Sequence, residues 1–230
     1  MKTLTQYIQE KLVIKKNKNT NFKYFPQTKK ELKDLINQRI EQEGNKVDLN
    51  DIDISNITDM SCLFPDSDFN GDVSRWDVSN VTNMNSMFAF CKSFNTDISN
   101  WDVSNVEDMS GMFCGCSKFN QDISNWDVSN VTTMYNMFNG CSKFNQDISN
   151  WDVSNVTNMG IMFYGCAAFN QDLSNWDVSN VDDMRGMFFA CKAFNQDLSN
   201  WDVSKVTKMS NAFYACKIDK EHKPKFNYFI

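Results

Sequence analysis

Two columns of carboxylates are the residues of this chain most able to do chemistry. Asp72, Asp97, Asp122, Asp147, Asp172 and Asp197 form one column, and Asp77, Asp102, Asp127, Asp152, Asp177 and Asp202 form the other, each with a step of 25 residues. Carboxylates of this kind serve acid/base catalysis or cation binding. An active site needs a unique constellation, however, and these recur identically, so the pattern argues against an enzyme. Two ionised groups about 5 Å apart repel by about 1 kcal/mol in water and by several times more at an effective dielectric of 20. Each Asp therefore needs donors or cations beside it. The Ser and Asn of the adjoining D-V-S-N segments and the turn N–H groups are such donors. In the competing reading the Asp77 column lines an exposed face and receives basic side chains or a divalent cation.

Other chemistry is sparse. His222 is the only histidine and lies in a polar tail without a partner suited to nucleophilic or acid/base work. No glycine loop of the phosphate-binding type is present. Asp66-Ser-Asp68-Phe-Asn70-Gly71-Asp72 followed by Val73 and Asp77 matches a calcium-loop pattern. Most of those residues are already required by the repeat, and the twelfth is Asp where Glu is usual, so neither a metal nor a cofactor is expected. Six of the eight cysteines, Cys91, Cys116, Cys141, Cys166, Cys191 and Cys216, hold one repeat position and read as a buried column of free thiols. Coils about 5 Å apart also bring such neighbours near disulfide range. The sequons at Asn56, Asn80, Asn130 and Asn155 are by-products of the repeat.

The element that must position these residues is the repeat itself. All six tryptophans, Trp76, Trp101, Trp126, Trp151, Trp176 and Trp201, keep the 25-residue step, and a fixed period of this size marks a stack of units that bury one another's apolar faces. Six coils begin at Phe69, Phe94, Phe119, Phe144, Phe169 and Phe194, after a degenerate coil over 47–68. Within a coil, the alternation of Trp101 and Val103 predicts a short strand. Met109, Met112, Phe113 and Cys116, at i, i+3, i+4 and i+7, predict a helical turn. The expectation is an α/β repeat, a solenoid of short parallel strands and helical turns over 47–217.

Residues 1–46 read as a helical N-terminal cap. Leu4, Tyr7, Ile8 and Leu12 suggest one amphipathic helix over 3–14. Thr28 with Glu31 makes a capping box, Leu32, Leu35, Ile36 and Ile40 form an apolar stripe, and Gly44 ends a second helix. Residues 218–230 read as a C-terminal cap, closing on Phe226, Tyr228, Phe229 and Ile230.

Charge is uneven. Residues 1–46 carry eleven Lys/Arg against five Asp/Glu, and residues 47–217 carry nine against twenty-two. The field of the repeat body would repel phosphate, which argues against nucleic acid. No run approaches a membrane helix, so no membrane insertion is expected, and no segment reads as a secretory signal.

The motif F-N-x-D-[IL]-S-x-W-D-V-S-x-V-x-x-M-x-x-[MA]-F-x-x-C resembles the repeat of BspA-type leucine-rich-repeat surface proteins. The resemblance implies a right-handed leucine-rich solenoid on a bacterial cell surface, in a family associated with adhesion to host proteins or other cells. The expected function is a non-enzymatic, adhesin-like protein-interaction module. Its competitor is a cytoplasmic or virion-associated structural scaffold, favoured by the missing signal.

Differences between coils point to where contact occurs. After the repeat Phe stand Ala89, Cys114, Asn139, Tyr164, Phe189 and Tyr214, so three successive coils place an aromatic at one outer position. Tyr164, Phe189 and Tyr214 are the expected centre of contact with a protein partner or a second copy of the chain. In the competing reading, the tail from Phe226 to Ile230 folds over them.

Overall fold

The computed structural model describes residues 22–64 and 68–226. The expected helix over 3–14, Asp66 of the calcium-loop pattern, and Tyr228, Phe229 and Ile230 lie outside these residues. Helix α1 spans Lys29–Glu43. Its N-cap Thr28 accepts from the N–H of Glu31 at 3.2 Å, and the Glu31 carboxylate takes the N–H of Gln27 at 2.8 Å. Gly44, at φ 84°, closes the other end by donating to the carbonyl of Ile40. Leu32, Leu35 and Ile36 are buried and join the same continuous core as the coils.

The expected solenoid of parallel strands does not form. Among the described residues α1 is the only α-helix and no strand occurs; each coil meets its neighbour through isolated parallel bridges such as Asn83 with Asp108 and Asp108 with Thr133. The Trp–Val segment fails as a strand because a tight turn bounds each side of it. In the third coil Ser124 donates its N–H to Asp122 and Ser129 donates to Asp127, so these amides are spent locally and not on a neighbouring coil. The Met–Phe segment fails as a helix because left-handed residues interrupt it. Ser86, Gly111, Asn136, Ile161, Gly186 and Asn211 recur at one position with φ between 49° and 64°, and Phe90, Gly115, Gly140, Gly165, Ala190 and Ala215 recur four residues later. A right-handed helix cannot run through such residues.

What the left-handed residues create is an unusual set of coil-to-coil hydrogen bonds. The N–H groups of Met134, Asn136, Phe138 and Gly140 in the third coil reach the carbonyls of Asn158, Gly160, Met162 and Tyr164 in the fourth, at 3.0, 2.9, 2.9 and 2.7 Å. The N–H groups of Met137 and Cys141 turn back into the coil, to Met134 and Phe138. The forward-pointing amides thus alternate with amides satisfied within the turn, and the same pattern recurs along the stack. Coil-to-coil backbone pairing is thus achieved without a strand or helix in the coils.

The opposite arc is joined mainly by side chains. Trp126 donates its indole N–H to the carbonyl of Ile98 at 3.2 Å, and Asn130 reaches Ser104 at 2.7 Å. The Asn120 carboxamide oxygen accepts the N–H of Asn145, and Asn95 serves Asn120 in the same way. Between the arcs lies an aromatic column, in which Phe113 stacks on Phe119 at 4.0 Å and on Phe138 at 5.7 Å. With Phe and Trp burying about 150–250 Å² each, these rings dominate the apolar area of a coil.

Candidate functional site

The left-handed residue that follows the repeat phenylalanine by two also fixes the side chain between them, turning it outward. In the last three coils that side chain is Tyr164, Phe189 or Tyr214. The rings stack face on face along the molecule: Tyr164 and Phe189 lie 4.5 Å apart and nearly parallel at 2°, and Phe189 and Tyr214 lie 5.1 Å apart at 24°. Tyr164 is 37% exposed and Tyr214 62% exposed, with Phe189 half-buried between them. Neither tyrosine is buried by Phe226, which instead meets the core ring of Phe213 at 6.3 Å. The row is therefore a continuous apolar surface, three rings long, ending at the C-terminal edge of the stack.

The Asp77-type column is exposed and occupied locally. Ser79, Ser104 and Ser129 each donate a hydroxyl to the Asp two residues before, at 2.6 Å, and the N–H of the same serine also donates. These hydroxyl bonds, then the amide bonds, hold Asp102, Asp127, Asp152, Asp177 and Asp202 below the ordinary carboxylate range, against a small opposing push from neighbouring Asp in the middle of the column. Asp72, Asp122, Asp147 and Asp197 are lowered as well, with Ser74, Ser124, Ser149 and Ser199 as their donors. The donors within D-x-S thus face the carboxylates of both columns directly. Among the described residues no three His, Cys, Asp or Glu side chains gather where a metal ion could sit.

The cysteines are free. Cys116, Cys141, Cys166 and Cys191 are buried and each donates its thiol to a carbonyl of the preceding coil at 2.9–3.0 Å. Burial pushes these thiols far above the usual range, so they are poor nucleophiles and serve packing. His222 lies 3.4 Å from the Asn195 carboxamide oxygen and belongs to the joint between tail and stack.

Several surface residues were not singled out by sequence reasoning. Phe90 is 51% exposed and Tyr135 38% exposed. Both were visible as departures from the repeat, Phe90 where later coils carry Gly or Ala, and Tyr135 where others carry Asn, Ser, Gly or Arg. Asp183 is almost fully buried. Burial would raise its pKa, but the hydrogen bonds and charge of Arg185, at 2.7 Å, outweigh that and hold it low.

The family model described as "Mycoplasma protein of unknown function, DUF285" matches the chain twice, over residues 30–138 and 115–226. The chain belongs to this family of repeat proteins. No curated protein and no solved structure matches it significantly. Among the described residues no helix is long and apolar enough to cross a membrane.

Proposed function

We propose that this member of the repeat family is a non-enzymatic protein-interaction module, adhesin-like and displayed at a cell surface, whose contact is centred on Tyr164, Phe189 and Tyr214. The observation that carries the reading is the exposed, mutually stacked aromatic row. Rings held by stacking lose little freedom on binding and give large contact area, which is why aromatics concentrate at the centres of interfaces. The resemblance to BspA-type repeats supports the adhesive and surface parts of the reading. The partner is a protein, and a second copy of this chain is the first to test.

The triple variant Tyr164→Ser, Phe189→Ser, Tyr214→Ser addresses the proposal directly. Self-association by light scattering, and capture of proteins from a host-cell surface extract, should both be compared with the intact chain. Loss of at least tenfold in association at unchanged circular dichroism is expected, since a central aromatic contributes about 2 kcal/mol or more. Association as strong as that of the intact chain overturns it.

A further inference from the structure

Every complete coil but the last passes four main-chain N–H groups forward. In the fifth coil Met184, Gly186, Phe188 and Ala190 donate to Lys208, Ser210, Ala212 and Tyr214 of the sixth, at 2.7, 2.9, 2.8 and 2.9 Å. Their equivalents in the sixth coil are Met209, Asn211, Phe213 and Ala215, which have no acceptor among the described residues. Asn211 and Ala215 are exposed and keep the left-handed φ of 58° and 55° that turns these amides forward in the other coils. The stack therefore ends in a row of parallel N–H donors. Like the first turn of a helix, it presents the positive ends of aligned peptide dipoles.

A groove of about 1150 Å³ runs along Met209, Asn211 and Phe213 of this row and past Tyr214, with the tail Lys220, Glu221, Lys223, Pro224, Lys225 and Phe226 as its other wall. The wall is pinned by Leu198, which donates to the carbonyl of His222 at 2.8 Å, and by Asn195, which pairs with Asp219. Arg185 and Lys208 also line the groove but already face Asp183 and Asp182. Lys220, Lys223 and Lys225 have no ion pair among the described residues, and Glu221 is the one acid of the lining. A cationic edge thus terminates a repeat body in which Asp and Glu outnumber Lys and Arg by twenty-two to nine.

We infer that this end binds an acidic peptide whose carbonyls accept from Met209, Asn211, Phe213 and Ala215 and whose carboxylates meet Lys220, Lys223 and Lys225. Main-chain pairing with unpaired donors supplies the affinity, and the lysines supply the charge preference. A second copy stacked head to tail does not fit the site, because the opposite end is covered by α1, with Leu32, Leu35 and Ile36 in the core and Lys33 donating to the carbonyl of Cys62 at 2.7 Å. The acidic repeat body between the two ends repels the same peptide. The inference goes beyond the aromatic contact, with which the groove shares Tyr214.

The test uses the full chain and a fluorescein-labelled octapeptide of alternating Glu and Val, with its Lys–Val counterpart as control. Fluorescence anisotropy should show the acidic peptide binding at least tenfold more tightly than the basic one and weakening as salt is raised. Lys220→Gln with Lys225→Gln should weaken it severalfold, and Lys220→Glu, Lys223→Glu, Lys225→Glu at least tenfold. Peptide-induced amide shifts in ¹⁵N spectra should concentrate on Met209, Asn211, Phe213 and Ala215. Equal binding of both peptides, indifference to the Gln variant, or shifts that miss those four amides overturns the inference, and a self-associated complex whose interface covers the same amides does so as well.

Discussion

The third coil, from Phe119, and the sixth, from Phe194, are written in nearly the same words, yet they differ in what they leave open. The third has its four forward amides bonded to the fourth coil, and its side position carries Asn139. The sixth has the same turns with four amides that have no partner among the described residues, and Tyr214 stands out beside them. The sixth also replaces an Asn of the repeat by Lys205, a Met by Ala212, and the bridge residue by Lys208. The comparison teaches that in a stacked repeat a surface arises in two ways. One is by substitution, as in the aromatic row. The other is by position, since the terminal coil cannot spend the hydrogen bonds that its neighbours spend on one another.

The largest difference between the two coils is expected in stability. Trp126 is buried in the middle of the stack, packs on Phe113 at 6.2 Å and donates to the carbonyl of Ile98, both in the second coil. Trp126→Ala should cost about 3–5 kcal/mol in urea unfolding. Trp201 stacks on Trp176 at 6.5 Å, but no further coil follows it, so Trp201→Ala should cost clearly less. Equal losses would break the comparison, showing that the coils do not behave as a near-linear array.

A smaller effect sharpens it at one backbone position. Gly140 has φ of 75°, and an added Cβ would meet nothing closer than Gly115 Cα at 3.6 Å, so space is not the constraint there. Gly140→Ala should still lose about 1 kcal/mol through left-handed strain. Ala215 holds the equivalent place in the sixth coil at 55°, and Ala215→Gly should gain no more than about the same. Thermal unfolding of both variants checks the pair; a stabilised Gly140→Ala would mean that this position is not left-handed in solution.

The smallest effect concerns the acid columns, which run through both coils. Asp127 and Asp202 are held below the ordinary carboxylate range by Ser129 and Ser204, hydroxyl first and amide second. A lowered folded pKa adds stability that is present above the unfolded value of about 3.9 and is lost as pH falls through the folded value. Stability should therefore decline only below about pH 4, and Ser129→Ala should flatten that decline slightly. Because these groups are exposed, the loss should be modest. A decline already complete at pH 5 would contradict the assignment.

Much of this was legible in the sequence, though not at the level of secondary structure. The 25-residue step located the coils, and the inward-facing set of Met134, Phe138, Cys141 and Trp126 is buried. Thr28, Glu31 and Gly44 marked both ends of α1. The strand and the helical turn were misread because apolar spacing reports which side chains face inward and says nothing of where the amides go. Trp126 and Val128 alternate since each lies beside a D-x-S turn, and Met134, Met137, Phe138 and Cys141 keep a helical spacing while Asn136 and Gly140 reverse the chain between them. The aromatic row was visible because it is built from side chains that depart from the repeat. The donor edge was not, because it consists of main-chain groups of ordinary residues and follows from being last.

Residue-resolved hydrogen exchange of the free protein tests the central claim, that position in the stack decides what a coil leaves open. Met134, Asn136, Phe138 and Gly140 should exchange only with global unfolding, while Met209, Asn211, Phe213 and Ala215, in the same turns, should exchange many orders of magnitude faster. Equal protection of the two sets would contradict the account, because the sixth coil would then have its forward amides paired and would present no open edge.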